Sequence, residues 1–183
     1  GNVGRPLISE VDDHECDVFV IELSSYQLET MTASVLSHAL ILNITPDHLD
    51  RYKNMGEYIR AKFAIVNVLK QGAHCYIHES VRSLIPDEVC HSPLKVYGRD
   101  PNCDLCFYEG SFRCKGSEIL ALPKAFENFL PHDLENIMAV YTACRAMGVS
   151  NSRFLEGVLT FKKLPHRIEF VRCLNDVAYY NDS

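Results

Sequence analysis

The tightest constraint on how this chain folds is an apolar run, Leu40-Ile41-Leu42, that stops abruptly in Asn43-Ile44-Thr45-Pro46-Asp47-His48-Leu49-Asp50-Arg51-Tyr52. Uninterrupted apolar runs of this length suit strands covered on both faces, so residues 37–44 read as a strand of a buried parallel sheet. Pro46 ends it, because proline has no N–H to give and pushes Thr45 away from helix. His48 then falls just past the carboxyl end of a strand, where open α/β sheets keep their ligands.

The neighbouring sequence repeats this alternation. Residues 17–23, apolar from Val18 to Ile21, read as an earlier strand, and 24–31 as a short helix with Tyr26, Leu28 and Met31 inward. Residues 55–70 carry helical spacing, with Gly72 as C-cap, and 73–78 form a third strand. Strand, helix, strand, helix, strand implies an α/β fold: a mainly parallel sheet with flanking helices and right-handed crossovers. Residues 79–131 change character. Turn signals at Ser92-Pro93, Arg99-Asp100-Pro101-Asn102 and Gly110-Ser111 separate alternating segments at 95–98, 103–108, 111–115 and 117–122. These suggest hairpins in a small antiparallel subsheet beside the main one. Asp133 is placed to cap a helix running to Met147 and ended by Gly148, and Ser150 to cap another ending near Phe161. Residues 167–174 and 177–181 read as closing strands joined through Asn175-Asp176.

Composition removes several function classes. No apolar run approaches the roughly 20 residues of a membrane span, so no membrane association is expected. The net charge is −6 with basic residues scattered, unlike the clustered Lys/Arg footprint of a nucleic-acid binder. An acidic balance still permits ATP, since helix N-termini and metal ions hold anions locally. Of the eight cysteines, Cys103 and Cys106 form a C-x-x-C, with Cys114 and His91 as further conceivable zinc ligands. Alternation around Cys106 suits a strand better than a zinc knuckle, and the cysteines read as free thiols in a reducing cytosol.

Lys62 has Tyr58, Ile65 and Leu69 at i−4, i+3 and i+7, which sets it on the flank of an apolar face. Partial burial leaves more of a lysine's amine neutral and nucleophilic, able to pair with a carboxylate, contact phosphate or take up carbon dioxide as a carbamate. Spacing alone favours a simpler snorkelling lysine. Glu22 ends the apolar run of its strand, which brings a carboxylate and the His48 imidazole to one edge, a donor pair suited to a divalent cation. A capping glutamate and an ordinary loop histidine are the simpler roles. Asn2 lies in a Gly-Asn-x-Gly turn, where it could serve turn geometry alone.

Four segments, in order, resemble the central domain of the Mur ligases, the ATP-dependent amide-forming enzymes of bacterial peptidoglycan synthesis. They are Gly1-Asn2-Val3-Gly4-Arg5-Pro6, Glu22-Leu23-Ser24-Ser25-Tyr26-Gln27-Leu28-Glu29, the stretch 43–62, and Leu164-Pro165-His166-Arg167-Ile168-Glu169. Asp182-Ser183 resembles the start of a fifth, and the 22–29 run is most similar to the D-glutamate-adding branch. Residues 79–131 carry little of the likeness. The resemblance implies ATP and magnesium as cofactors, with UDP-N-acetylmuramoyl-L-alanine and D-glutamate as substrates joined through an acyl phosphate. It implies that Glu22, His48 and a carbamylated Lys62 hold magnesium, and that Lys62, His48 and Arg167 serve catalysis. It places His132, Asp133, Asn136, His166, Arg167 and Asp182 against the nucleotide, and Asn2, Ser24 and Gln27 on the substrate side. Asp133 departs from the family, which usually has asparagine there. Asn136 could equally serve the helix start, and Arg167 a salt bridge to Glu169.

No G-x-x-x-x-G-K-[ST] occurs in the chain, and the family carries that phosphate loop just upstream. The expectation is a central-domain fragment spanning 1–183, without turnover by itself, from a monomeric cytoplasmic enzyme. The alternatives are another Mur ligase, folylpolyglutamate synthetase, or a non-catalytic nucleotide-binding module.

Overall fold

The computed structural model describes residues 16–47, 49–124, 129–162, 165, 166 and 168–182. Its frame is one six-stranded sheet in the spatial order β1 (Leu36–Ile41), β2 (Leu69–His78), β3 (Leu94–Gly98), β4 (Leu105–Tyr108), β5 (Ser111–Cys114), β6 (Ser117–Ala121). Strands β1 to β4 are parallel, and β4 to β6 turn back antiparallel. α1 (Ser25–Thr30) precedes β1; α2 (Met55–Phe63) and a 3-10 segment, Ala64–Val68, lead into β2. α3 (Pro131–Ala146) and α4 (Asn151–Thr160) follow the sheet, and β7 (Glu169–Leu174) and β8 (Val177–Asn181) form a separate antiparallel pair.

The period-2 alternation of each strand feeds two cores. On one face Ala39, Ile41, Cys75 and Ile77 pack against Phe63, Val66 and Val81. On the other, Tyr97, Leu105 and Phe112 meet Ile137, Met138 and Tyr141 of α3 and Phe154 of α4. Phe112 and Tyr141 lie 4.1 Å apart between ring centroids, with Phe154 4.7 Å beyond Tyr141. The polar tip of Tyr141 donates to Asn151 Oδ1 at 2.9 Å, and Asn151 Nδ2 donates to the Ile119 carbonyl at 2.8 Å. One asparagine thus locks α3, α4 and the end of the sheet together.

The α/β reading holds, with a mostly parallel sheet, flanking helices and a small antiparallel pair, but several elements differ from expectation. No strand forms over residues 17–23; Val18, Phe19 and Val20 are exposed, Val20 by 92%. An apolar run becomes a strand only where a neighbour and a covering layer meet it, and among the described residues β1 pairs with β2 alone. The helix expected over 55–70 stops at Phe63, because the β-branched Ile65, Val66 and Val68 favour the tighter turn and the strand beyond it. Strand β2 therefore starts at Leu69, opposite Leu36. Gly72 lies inside that strand at φ +81, where the register slips between Leu36 and His38, so it serves a bulge and caps no helix. Strands β3 and β4, expected in hairpins, extend the parallel sheet, since the 3-10 turns Glu79–Leu84 and Asp87–Val89 carry the chain back to the same edge. Leu130 rather than Asp133 is the N-cap of α3; Pro131 opens the helix and Asp133 sits in its first turn. Asn175 and Asp176 take φ of 49 and 60 between β7 and β8, the left-handed pair that a two-residue hairpin requires.

Gly98 ends β3 against Glu79, whose carboxylate accepts from the Asp100 N–H at 2.8 Å and from Cys103 Sγ at 3.7 Å. A Cβ at position 98 would overlap that carboxylate. Gly98→Ala should therefore lower stability by about 1–3 kcal/mol in urea unfolding, as Glu79 is pushed off its partners. An unchanged midpoint would show that Glu79 yields at no cost.

Candidate functional site

The chain enters α1 through Ser24, which satisfies the helix start by a reciprocal pair. Ser24 Oγ accepts from the Gln27 N–H at 3.3 Å, and Gln27 Oε1 accepts from the Ser24 N–H at 2.9 Å. This is a capping box, so both residues expected on the substrate side already have a structural task. Glu22 stands just ahead of them, exposed and outside any helix or strand. It is not held at a strand end as expected, because the strand that would carry it is absent.

Past β1 the chain runs through 42–54 and returns to α1. Glu29, at the far end of α1, accepts from Arg51 Nη2 at 2.6 Å and from the Tyr52 hydroxyl at 2.5 Å. The bonds to Tyr52 and Arg51 hold its carboxyl below the ordinary 4.5. Tyr52 is buried, and that burial, followed by the Glu29 carboxylate, pushes its phenol up. The fully buried Ser25 hydroxyl lies beside Tyr52 without making a hydrogen bond of good geometry. The Tyr52 ring stacks at 6.2 Å on Tyr26 and leans at 5.4 Å on Tyr58 of α2. A cation stands over each outer ring of this row: Arg51 is 4.5 Å from the centre of Tyr26, and Lys62 Nζ is 5.4 Å from that of Tyr58. The i−4 relation between Tyr58 and Lys62 is thus realised as a contact, with Lys62 half-buried.

The nucleotide-side candidates occupy two other places. His132, Asp133 and Asn136 lie in and just after the first turn of α3, with His132 and Asn136 exposed. His132 Nε2 is 3.5 Å from Asp133 Oδ1. His166 and Asp182 flank the open end of the β7–β8 hairpin. There Ile168 N–H donates to Asp182 Oδ1 at 3.3 Å, and Asn181 Nδ2 lies 2.7 Å from His166 Nδ1. Glu169 accepts from the His166 N–H at 2.9 Å. Asn2, His48 and Arg167 lie outside the described residues, and so does the proposed pairing of Arg167 with Glu169.

The structure therefore places Ser24 and Gln27 at the start of α1 and Lys62 on the neighbouring α2, and ties His166 to Asn181 and Asp182 to Ile168 at the open end of one hairpin. Among the described residues no three His, Cys, Asp or Glu come together as metal ligands. All eight cysteines are free, and Cys103 and Cys106 are buried. Burial and the nearby Glu79 push the Cys103 thiol up to about 12, which disfavours the thiolate that zinc needs. Sequence reasoning gave no role to Glu29, Arg51 or Tyr52. Their signal is faint: a glutamate four residues after the inward Ser25, and an Arg-Tyr pair beyond the proline turn.

A layered α/β domain whose polar loop follows the carboxyl end of a parallel strand is a ligand-binding class of fold. The pattern of the Mur ligase middle domain matches residues 4–95, half of the chain, and the chain belongs to that family. It is 38% identical over 188 residues to the UDP-N-acetylmuramoylalanine--D-glutamate ligase of Protochlamydia amoebophila, covering all of this chain and 41% of that one. The ligase of the same name from Desulfovibrio desulfuricans is 35% identical over 184 residues, covering all of this chain and 38% of that one. The chain thus spans about two-fifths of the length of these relatives. In fold it is similar to MurF from Acinetobacter baumannii, with TM-score 0.63 and 17% identity over 87% of this chain and 36% of that one. MurF from Thermotoga maritima in complex with ADP gives TM-score 0.54 and 19% identity, over 75% of this chain and 33% of that one.

Because the folded state holds the Glu29 carboxyl below its ordinary 4.5, the group adds stability that is present above that value. This contribution is lost as pH falls through the lowered value. Glu29→Gln should flatten the acid limb of a plot of urea midpoint against pH, leaving the neutral region less affected. An acid limb of unchanged slope would show that Glu29 does not drive it.

Proposed function

We propose that this chain is the ATP-handling central part of a cytoplasmic ligase that joins D-glutamate to UDP-N-acetylmuramoyl-L-alanine in peptidoglycan synthesis. What supports the reading is the likeness, along the entire chain, to ligases named for that amino acid. The geometry agrees in one respect: described residues of two of the four motif segments, 22–29 and 43–62, fold against each other where α1 meets Arg51, Tyr52 and α2.

A carboxylate is a poor electrophile, so the terminal carboxylate of the nucleotide substrate first takes the γ-phosphoryl group of ATP, releasing ADP. The amine of D-glutamate then attacks the acyl phosphate, expelling phosphate and losing a proton to give the amide. Catalysis of this kind is mainly positioning and charge neutralisation. Arg167 would meet phosphate oxygens with its planar fork, while His132, Asp133 and Asn136 take the base, and His166 and Asp182 the ribose and phosphate region. Asn2, Ser24 and Gln27 would orient the substrate. Magnesium prefers hard oxygen donors, keeps several waters and needs only one or two carboxylates. The exposed Glu22 carboxylate fits that demand, and His48 and a carbamylated Lys62 would complete the set. When bound, the ion supplies neutralisation of phosphate charge. The likeness to MurF favours, as the second reading, another Mur ligase with a different acceptor; at 17% identity it bears on fold alone.

The test is phosphate release by the gene product that contains this chain, with ATP, magnesium and UDP-N-acetylmuramoyl-L-alanine. Release that depends on D-glutamate is the expected result, and the isolated 183-residue chain should show none. Dependence on another amino acid would keep the family and move the substrate. A folded protein that releases no phosphate with any acceptor would favour a non-catalytic module. In the active protein, Lys62→Ala should lower turnover by about 10²–10³-fold. Added bicarbonate should leave that loss in place, whereas a short carboxylic acid should restore part of the rate. Wild-type turnover in that variant would remove Lys62 from the mechanism.

A further inference from the structure

We propose that Glu29 is a positioning residue, which ties α1 to the loop after β1 and, through Tyr52 and Tyr58, sets the place of Lys62. The reaction it serves rests on the ligase reading above; the mechanical tie does not. Three observations carry it. First, one carboxylate takes two donors from the same loop, Arg51 at 2.6 Å and Tyr52 at 2.5 Å, across 22 and 23 residues of sequence. Second, Tyr52 is a buried side chain, 7% exposed, so its hydroxyl has little water to fall back on if Glu29 is removed. Third, the Tyr52 ring leans on Tyr58, and the Tyr58 ring carries Lys62 Nζ.

The Arg51 ion pair is the weaker member. Its side chains are 53% and 33% exposed, and solvent screens such pairs. Arg51 gains more by spanning two contacts, the Glu29 carboxylate and the Tyr26 face. The Tyr52 bond is the one that transmits: it is the hydrogen bond between α1 and the ring row that ends at Lys62, beside the looser 6.2 Å stack of Tyr52 on Tyr26 of the same helix. The consequence is that Arg51 and Tyr52 of the loop, the capping box of Ser24 and Gln27, and Lys62 hold their relative places with the help of one glutamate. A displacement of about 1 Å at such groups costs on the order of 100-fold in rate.

Tyr52→Phe keeps the ring and removes only the bond. In the 183-residue chain it should speed hydrogen exchange of amides 49–58 by about tenfold, while those of Cys75 and Ile77 in β2 stay protected. In the gene product that contains the chain, it should cut kcat about tenfold with the KM for ATP nearly unchanged. The thermal midpoint should stay within about 3 °C of the wild type. Glu29→Gln, which still accepts from Tyr52, should lie between Tyr52→Phe and the wild type, and Glu29→Ala combined with Tyr52→Phe should be no worse than the more affected single variant. Unchanged exchange at 49–58 overturns the tie. Faster exchange with wild-type kcat overturns the positioning role. A wild type without turnover sinks the ligase reading and the catalytic half of this inference with it, while exchange still decides the tie.

Discussion

A parallel sheet has to be covered on both faces, and nearly everything else in this molecule follows from how β2 meets that demand. Its inward residues Cys75 and Ile77 are fully buried against the α2 side, while Tyr76 packs toward α3. The burial of Cys75, which is 0% exposed, pushes its thiol up to about 12. Strand β3 aligns to β2 residue by residue and β1 does so from His38 onward, with Ile41 opposite Ile77 as the last pair before the polar loop begins. The loop of interest is therefore placed by a hydrophobic requirement two strands wide, before any polar contact is made.

The same requirement explains which elements were legible. Of the strand expected over 37–44, tertiary structure upheld the part to Ile41, because Ala39 and Ile41 found a cover on one side and Leu40 on the other. Leu42, without cover, is 48% exposed, and the strand stops short of Pro46. Residues 17–23 carried an equally strong signal and stayed out of the sheet. Pattern states what a segment could bury, and only neighbours decide whether it does. The shortened α2 follows the same logic at smaller scale: Leu69 gains more by pairing with Leu36 than by continuing a helix. Turn chemistry transferred best. Asn175-Asp176, Gly148 and the Ser150 cap act locally, and each does what its backbone preference dictates.

The candidate site was legible in parts for a related reason. Motif likeness named Ser24, Gln27, Lys62, His166 and Asp182, and the structure accounts for each with a specific bond or ring contact. It could not name Glu29, Arg51 or Tyr52 as a unit, since their relation spans more than twenty residues and depends on the angle at which α1 meets the loop. Tyr58 was read as an apolar neighbour of Lys62. Its second role, as the ring between Lys62 and Tyr52, is a product of packing and has no periodicity in the sequence.

The polar groups assigned to ligands are mostly engaged already. Ser24 and Gln27 satisfy each other, Asp182 takes the Ile168 N–H, and His166 meets Asn181. A ligand reaching them exchanges one hydrogen bond for another, and such exchanges yield little net free energy. On the proposed reading, affinity has then to come from charge, chiefly the exposed carboxylate of Glu22 and the Lys62 amine on its aromatic ring. Local bonding at the other positions contributes something different. It keeps those side chains in one geometry before the ligand arrives, which lowers the ordering cost of binding. Glu29 extends the same economy from single residues to segments, since it holds Arg51 and Tyr52 of the loop against the helix that carries the Ser24–Gln27 cap.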